Sequence, residues 1–292
     1  MTPDFEPIGL SQQSAYQTVL RGCPQISSDY SFANLWGWAD EHELTWAWDE
    51  TLVWIRQTHP REVYWAPVGP WHDIDWQAQV DRLAGKRFDR IPEMLAGIWQ
   101  RALGEPLRLD TAREHWDYLY QADELVSLSG NRFHKKKNLL NQFRKKYDFS
   151  YHSFGPDMVD LAFEMQADWC TWRDCEANDA LAAENRVIRK VLEKWDQLDG
   201  LMGGALLVDG AMVAYTIAEA LSEDTVVIHF EKGDPSYKGV YQAINQQFLE
   251  HLNGGYRLVN REQDLGDAGL RKAKESYNPV GYMKKFAAVL SA

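Results

Sequence analysis

Apolar and polar positions alternate with period two in several short runs, and each such run predicts a half-buried strand. In the first half, Leu44–Trp48 and Thr51–Gln57 alternate on either side of Asp49-Glu50, which predicts a hairpin. Glu62–Val68 reads as a third strand, Trp76–Leu83 and Pro92–Leu103 as helices, and Pro106–Asp110 as extended. Pro92 suits the first turn of its helix, where a missing N–H costs nothing. The second half repeats this order. Ala205–Val208 and Ala211–Leu221 flank Asp209-Gly210, two residues that tolerate the positive φ of a tight hairpin. Asp224–Phe230 is a β-branched strand, Val240–Leu252 a helix, Tyr256–Asn260 a strand and Gly269–Tyr277 a short helix. Tyr282–Leu290 supplies a last strand. Between the halves, 131–147, 158–168 and 180–195 carry the apolar spacing of amphipathic helices. The echo lies in element order and not in residue identity; it predicts two similar α/β units, residues 1–125 and 126–292.

Composition narrows the class. With 45% hydrophobic and 13% aromatic residues among 292, the chain is too apolar for disorder, and 11 prolines and 20 glycines are too few for a collagen-like sequence. Three cysteines, Cys23, Cys170 and Cys175, cannot build a disulfide framework in a chain of this length, which fits a reducing compartment. The C-x4-C spacing has no second Cys or His pair, so no metal is expected. The acidic N-terminus lacks a leader pattern, and no apolar run approaches the roughly 20 residues of a span. A cytoplasmic protein without integral membrane association is expected. Of 13 tryptophans, ten precede residue 117, which points to a core or domain interface rich in indole.

Charge is unevenly placed. Residues 1–125 hold 10 Lys+Arg and 20 Asp+Glu; 126–292 therefore hold 31 − 10 = 21 and 43 − 20 = 23. Within the second part, Gly130–Tyr147 carries seven Lys or Arg and no acid. Such a block suits an anionic partner, although a solvated helix face would look the same. A second anion signal follows in His229–Asn245: a strand, a loop with Gly233, Pro235 and Gly239, then a helix start flanked by Lys232 and Lys238. Helix N-termini offer unpaired N–H groups to phosphates. The matching loop of the first half, Ala66–Asp75, has two acids and no lysine.

This element order is that of the GNAT acyltransferase superfamily. Lys135–Tyr147, Ala214–Leu221, Val227–Phe248 and Val259–Pro279 resemble the phosphatidylglycerol lysyltransferase C-terminal domain family, in its soluble tandem-GNAT branch. The resemblance implies an α/β (α+β) fold of two tandem GNAT-like domains, each a mixed, mostly antiparallel sheet flanked by helices. It implies a structural first domain and a second that carries the active or ligand site. It implies transfer of an activated acyl or aminoacyl group to an amine or hydroxyl, with acyl-CoA or aminoacyl-tRNA as donor. Of the GNAT phosphate-signature positions, Ser236, Gly239 and Tyr241, only Gly239 keeps the expected type. The membrane portion of the lipid-modifying relatives is absent from this sequence, so a small-molecule or peptide acceptor is expected. A tRNA donor would lie along 132–146, with Lys136, Lys137 and Asn138 among its contacts.

In a GNAT fold two neighbouring parallel strands splay, and their C-terminal ends line the reaction site. Here those ends are Asp224–Lys232 and Tyr256–Asp264. Alternation puts His229 and Glu231 on one face of the first strand, and Asn260 and Glu262 on one face of the second. Acyl transfer needs a base, oxyanion donors and an acid for the leaving group. Glu231 is the first candidate for base, with His229 and Glu262 behind it; Tyr277 is the candidate acid. Lys232, Lys238, Gly239, Asn260 and Arg261 are candidates for substrate or anion binding. Each has a plainer reading. Glu231 could only pair with Arg261, His229 could be a hydrogen-bonded core histidine, and Tyr277 a packing residue at a helix end. A non-catalytic GNAT-like ligand-binding or regulatory module is the alternative.

Overall fold

The structure, a computed structural model, describes residues 4–291; the first three residues of the stretch read for a leader lie outside it. Both hairpins form where the alternation places them. Asp49 closes the first by accepting the N–H groups of Thr51 at 3.0 Å and Leu52 at 2.8 Å, and Leu44–Trp48 pairs antiparallel with Val53–Gln57. In the second, Asp209 and Gly210 take φ of 51° and 82°, joining Leu201–Val208 to Ala211–Ala220.

The chain forms two units. The first comprises the described residues up to Asp117, with Gln263–Ala268 and the stretch from Tyr282 onward; the second comprises Tyr118–Glu262 and Gly269–Gly281. Each is built on a mixed, mostly antiparallel seven-stranded sheet with helices, the α/β class expected. The first sheet runs Glu6–Pro7, Leu44–Trp48, Val53–Gln57, Val63–Trp65, Arg87–Pro92, Lys285–Leu290, Leu107–Thr111. Val63–Trp65 and Arg87–Pro92 are its parallel pair.

Two boundaries therefore differ from the sequence reading. The units divide at Asp117 and Tyr118, not at 125 and 126, and the last strand joins the first sheet. The physical reason is a buried anchor. Lys285 is wholly buried, with Nζ bonded to Asp29 and, at 2.6 Å, to Asp117. Element order carries no trace of which sheet a terminal strand joins. Trp76–Leu83 is helical only at Val80–Leu83, because Asp75 Oδ1 caps Gln77 and Ala78 in a turn instead.

The second sheet runs Gly281–Met283, Asp117–Gln121, Leu258–Asn260, Thr225–Gly233, Ala211–Ala220, Leu201–Val208, Phe149–Ser153. Helix Val240–His251 packs on one face. There its Val240, Ala243 and Ile244 meet Leu140 and Phe143 of the basic helix His134–Lys146, and Leu206 and Val213 of the sheet. Full burial of each large side chain contributes about 1.5–3 kcal/mol, so this apolar stripe holds the basic helix down and leaves its charged side to solvent. Helix Val159–Arg173 covers the opposite face, where the Tyr215 hydroxyl donates to Gln166 Oε1 at 2.5 Å. At its end Cys170 and Cys175 are joined in a disulfide, a single local bond where the cysteine count had fitted a reducing compartment; the chain reverses at Asp174 (φ 52°) and brings them together. Trp46, Trp71 and Trp99 are fully buried core of the first unit.

Candidate active site

The parallel strands of the second unit pair over three positions only: Thr225 with Leu258, Val226 with Val259, and Val227 with Asn260. Beyond them Thr225–Gly233 continues, while the other chain turns away at Glu262 (φ 53°). A bulge falls at the same place. Against Ala211–Ala220, Ile228 pairs with Ala218 and Phe230 with Ile217, which leaves His229 as the extra residue. Glu231 pairs with Thr216 and so lies on the face of Ala218; His229 reaches Glu219 on the other face. Simple alternation placed His229 and Glu231 together, and the bulge separates them.

On the face covered by Val240–His251, four of the candidate residues converge. Glu231 Oε1 accepts from Arg261 at 2.7 Å and Oε2 from Asn245 at 3.3 Å. The Arg261 guanidinium carbon sits 5.3 Å from the Tyr277 ring centroid, and Lys136 Nζ sits 4.0 Å from it. Gln242 Nε2 donates to the Tyr277 hydroxyl at 3.0 Å. Burial raises the Tyr277 pKa, and the Glu231 charge adds to it against the pull of Arg261. Partial burial, then repulsion from Arg261, brings Lys136 down to about 8 despite the nearby Glu231. Burial would lower the Arg261 pKa, but Glu231 and the two tyrosines Tyr277 and Tyr120 hold it above its ordinary value. Two buried polar atoms have no hydrogen-bond partner among the described residues: the hydroxyl of Thr216, paired opposite Glu231 in the sheet, and Nδ2 of Asn278, which follows Tyr277 in sequence. Each costs about 1–3 kcal/mol unless a ligand or water meets it.

His229 lies on the other face and is buried. Its Nε2 donates to Glu219 at 2.8 Å and its Nδ1 to Glu262 at 2.7 Å. Burial disfavours the imidazolium, yet bonds to the two carboxylates and their charge outweigh it and carry the pKa to about 10. A histidine held charged by two anions has no lone pair to act as base, so the geometry gives it the hydrogen-bonded core role and makes Glu262 its partner. Asn260, fully buried, accepts the Glu262 N–H at 2.8 Å and shapes this turn. Lys232 also departs from the site: its Nζ bonds Glu184 at 2.7 Å and lies 4.0 Å from the Trp169 ring centroid, on the face away from Glu231.

Gly239 precedes helix Val240–His251 with φ 93°, and a Cβ there would stand 2.2 Å from the carbonyl oxygen of Leu139. The basic helix thus lies against the helix start that was expected to hold a phosphate. Lys238 is exposed beside it. On the basic helix Lys135, Lys137, Asn138, Lys145 and Lys146 are exposed, and Lys136 alone turns inward to Tyr277. Sequence reasoning missed Gln242, Asn245 and Glu219. Gln242 and Asn245 share one face of helix Val240–His251 at i and i+3, but Gln246, Gln247 and Glu250 on the same helix gave the sequence no way to single them out. Two open grooves, of about 410 Å³ beside Trp71 and Arg101 and about 300 Å³ beside Phe163 and Trp195, are lined by other residues.

Comparison with known proteins identifies the class. The chain belongs to the phosphatidylglycerol lysyltransferase, C-terminal family, whose sequence model matches residues 21–289. A conserved protein of unknown function from Bacteroides thetaiotaomicron has the same fold, with a TM-score of 0.88, 28% identity, and 99% of this chain and 100% of that one covered. The C-terminal domain of a putative lysylphosphatidylglycerol synthetase from Agrobacterium fabrum superposes with a TM-score of 0.65 at 14% identity, over 97% of this chain and 91% of that one. The L-PGS of Bacillus licheniformis gives 0.64 at 13%, over 97% and 92%. An uncharacterized protein of Mycoplasmoides gallisepticum is 28% identical over 171 residues, 58% of this chain; the chain spans about half the length, 54%, of that curated relative. Among the described residues no helix is long and apolar enough to cross a membrane.

Proposed function

We propose that the chain transfers an activated acyl or aminoacyl group to an amine or hydroxyl of a small-molecule or peptide acceptor in the cytoplasm. The observation that supports this most is the convergence of Glu231, Arg261, Tyr277, Gln242 and Lys136 where the two parallel strands part, beside the buried Thr216 hydroxyl, which has no hydrogen-bond partner among the described residues. In this reading Glu231 positions Arg261, whose charge favours the developing oxyanion. The Tyr277 oxygen accepts from Gln242, which turns its own hydrogen toward the leaving group. The donor is an acyl-CoA or an aminoacyl-tRNA. The exposed cations of 132–146 favour the tRNA, and the phosphate-signature loop, shut against Leu139, disfavours CoA.

The test offers radiolabelled aminoacyl-tRNAs and acyl-CoA thioesters with a panel of amine and hydroxyl acceptors. Donor-dependent transfer is expected, lost in Tyr277→Phe without loss of fold. A second reading, a non-catalytic ligand-binding or regulatory module, draws on the closed Glu231–Arg261 pair. A folded chain that binds a donor yet transfers nothing from any of them decides for it.

A further inference from the structure

Seven Lys and Arg lie in 130–147, and six of them are exposed; Lys136 is the exception. Its neighbours on the helix, Lys135 and Lys137, point to solvent. From the elements packed against it, the groups that face it are Glu231 of the Thr225–Gly233 strand, Arg261 beyond Leu258–Asn260, and Tyr277, with neutral Gln242 behind. The charge count there is unequal: two cations share one tyrosine ring and one carboxylate. That carboxylate is spoken for, since Arg261 takes Oε1 at 2.7 Å and Asn245 takes Oε2 at 3.3 Å. A guanidinium does not give up its proton in a protein. The excess positive charge is therefore relieved at the amine of this half-buried lysine.

We propose that Lys136 is an acylation site, a nucleophilic amine that captures activated acyl groups such as thioesters. Its Nζ attacks the thioester carbonyl; a C–N amide bond forms, the C–S bond breaks, and the proton lost by the amine leaves with the thiol. The reaction needs neither CoA nor tRNA recognition and does not rest on transfer to a further acceptor. Lowered basicity, at about 8, matches this role, because a larger share of the amine is neutral near pH 7.5 than for an ordinary lysine.

The full chain is incubated with S-acetyl-N-acetylcysteamine, a thioester without a nucleotide, and acetylation of Lys135, Lys136 and Lys137 is followed by peptide mass spectrometry from pH 6 to pH 10. Lys136 is expected to react roughly tenfold or more faster than its neighbours at pH 7.5, with a rate profile that bends near pH 8, and to lose its lead when the chain is unfolded. Arg261→Gln moves the bend upward and Glu231→Gln moves it downward, and either folded variant suffices. If Lys136 of the folded chain reacts no faster than Lys135 and Lys137, or follows their pH profile, the proposal is overturned.

Discussion

The imidazole of His229 bridges two carboxylates, reaching Glu262 across the gap between the parallel strands at 2.7 Å and Glu219 on the adjoining strand at 2.8 Å. Its folded pKa, about 10, lies above the 6.5 of a free histidine. The stabilisation is therefore complete below about pH 6.5 and is lost as pH rises toward 10. His229→Gln should cost about 3–5 kcal/mol near pH 6, as breaking a buried ionic contact does. The wild-type advantage in urea denaturation should shrink at pH 9–10. A constant difference across that range is the contrary result.

That bridge also shows where the sequence was readable and where it was not. The hairpins at Asp49 and Asp209-Gly210 were legible because turn chemistry is local. Glu231, Arg261, Tyr277 and Lys136 were legible as candidates, since each is a polar group in or beside a motif. Their grouping was not, because one unpaired residue at His229 reverses every side chain after it, and a bulge leaves no mark on the hydrophobic pattern. Lys136 and Lys137 looked alike in sequence. Only the position of Tyr277 separates the inward lysine from the outward one.

Gly239 sits at φ 93° with Leu139 backbone in the way of any side chain, whereas Gly210, at φ 82°, faces open space. Gly239→Ala should cost well over 2 kcal/mol, because backbone must shift, and Gly210→Ala only about 1 kcal/mol for the positive φ alone. Guanidinium denaturation of the two variants compares them directly. Equal losses would mean that the basic helix is not seated against this loop.

Cys170 and Cys175 close a short loop, so removing their bond should cost about 2 kcal/mol or less. Thiol titration of the unfolded chain should find one free thiol without reductant, that of Cys23, and three with it. Three thiols in unreduced protein would refute the pairing.

If aminoacyl-tRNA is the donor, the exposed lysines Lys135, Lys137, Lys145 and Lys146 are available to phosphates, whereas exposed Arg132 pairs with Glu124 and exposed Arg144 with Gln246. Replacing all four with alanine should weaken binding and flatten its dependence on salt, by up to roughly 0.7–0.9 in log–log slope for each phosphate no longer neutralised. Lys232→Ala should leave the slope unchanged, because that ammonium is engaged by Glu184 and Trp169. Filter binding from 50 mM to 300 mM salt reads both, and an unaltered slope in the fourfold variant counts against the basic helix as the tRNA surface.

Lys285 places the last strand. Its ammonium is fully buried against Asp29 and Asp117, and Arg90 meets Asp29 at 2.7 Å, so two cations balance two carboxylates within the first unit. Burial alone would raise the Asp29 carboxyl, but Lys285 and Arg90 hold it well below the usual range. The resulting stability is present above about pH 4 and falls away as the solution is acidified toward the folded pKa. Lys285→Met keeps the volume and removes the charge, which leaves Asp117 without its ammonium. The expected loss is about 3–5 kcal/mol at pH 7. Hydrogen exchange should show where it acts, with Phe286–Leu290 amides losing protection before those of Val53–Gln57. A loss below about 1 kcal/mol with the strand still protected would show that backbone pairing to Arg87–Pro92 and Leu107–Thr111 suffices to hold the strand without its buried cation.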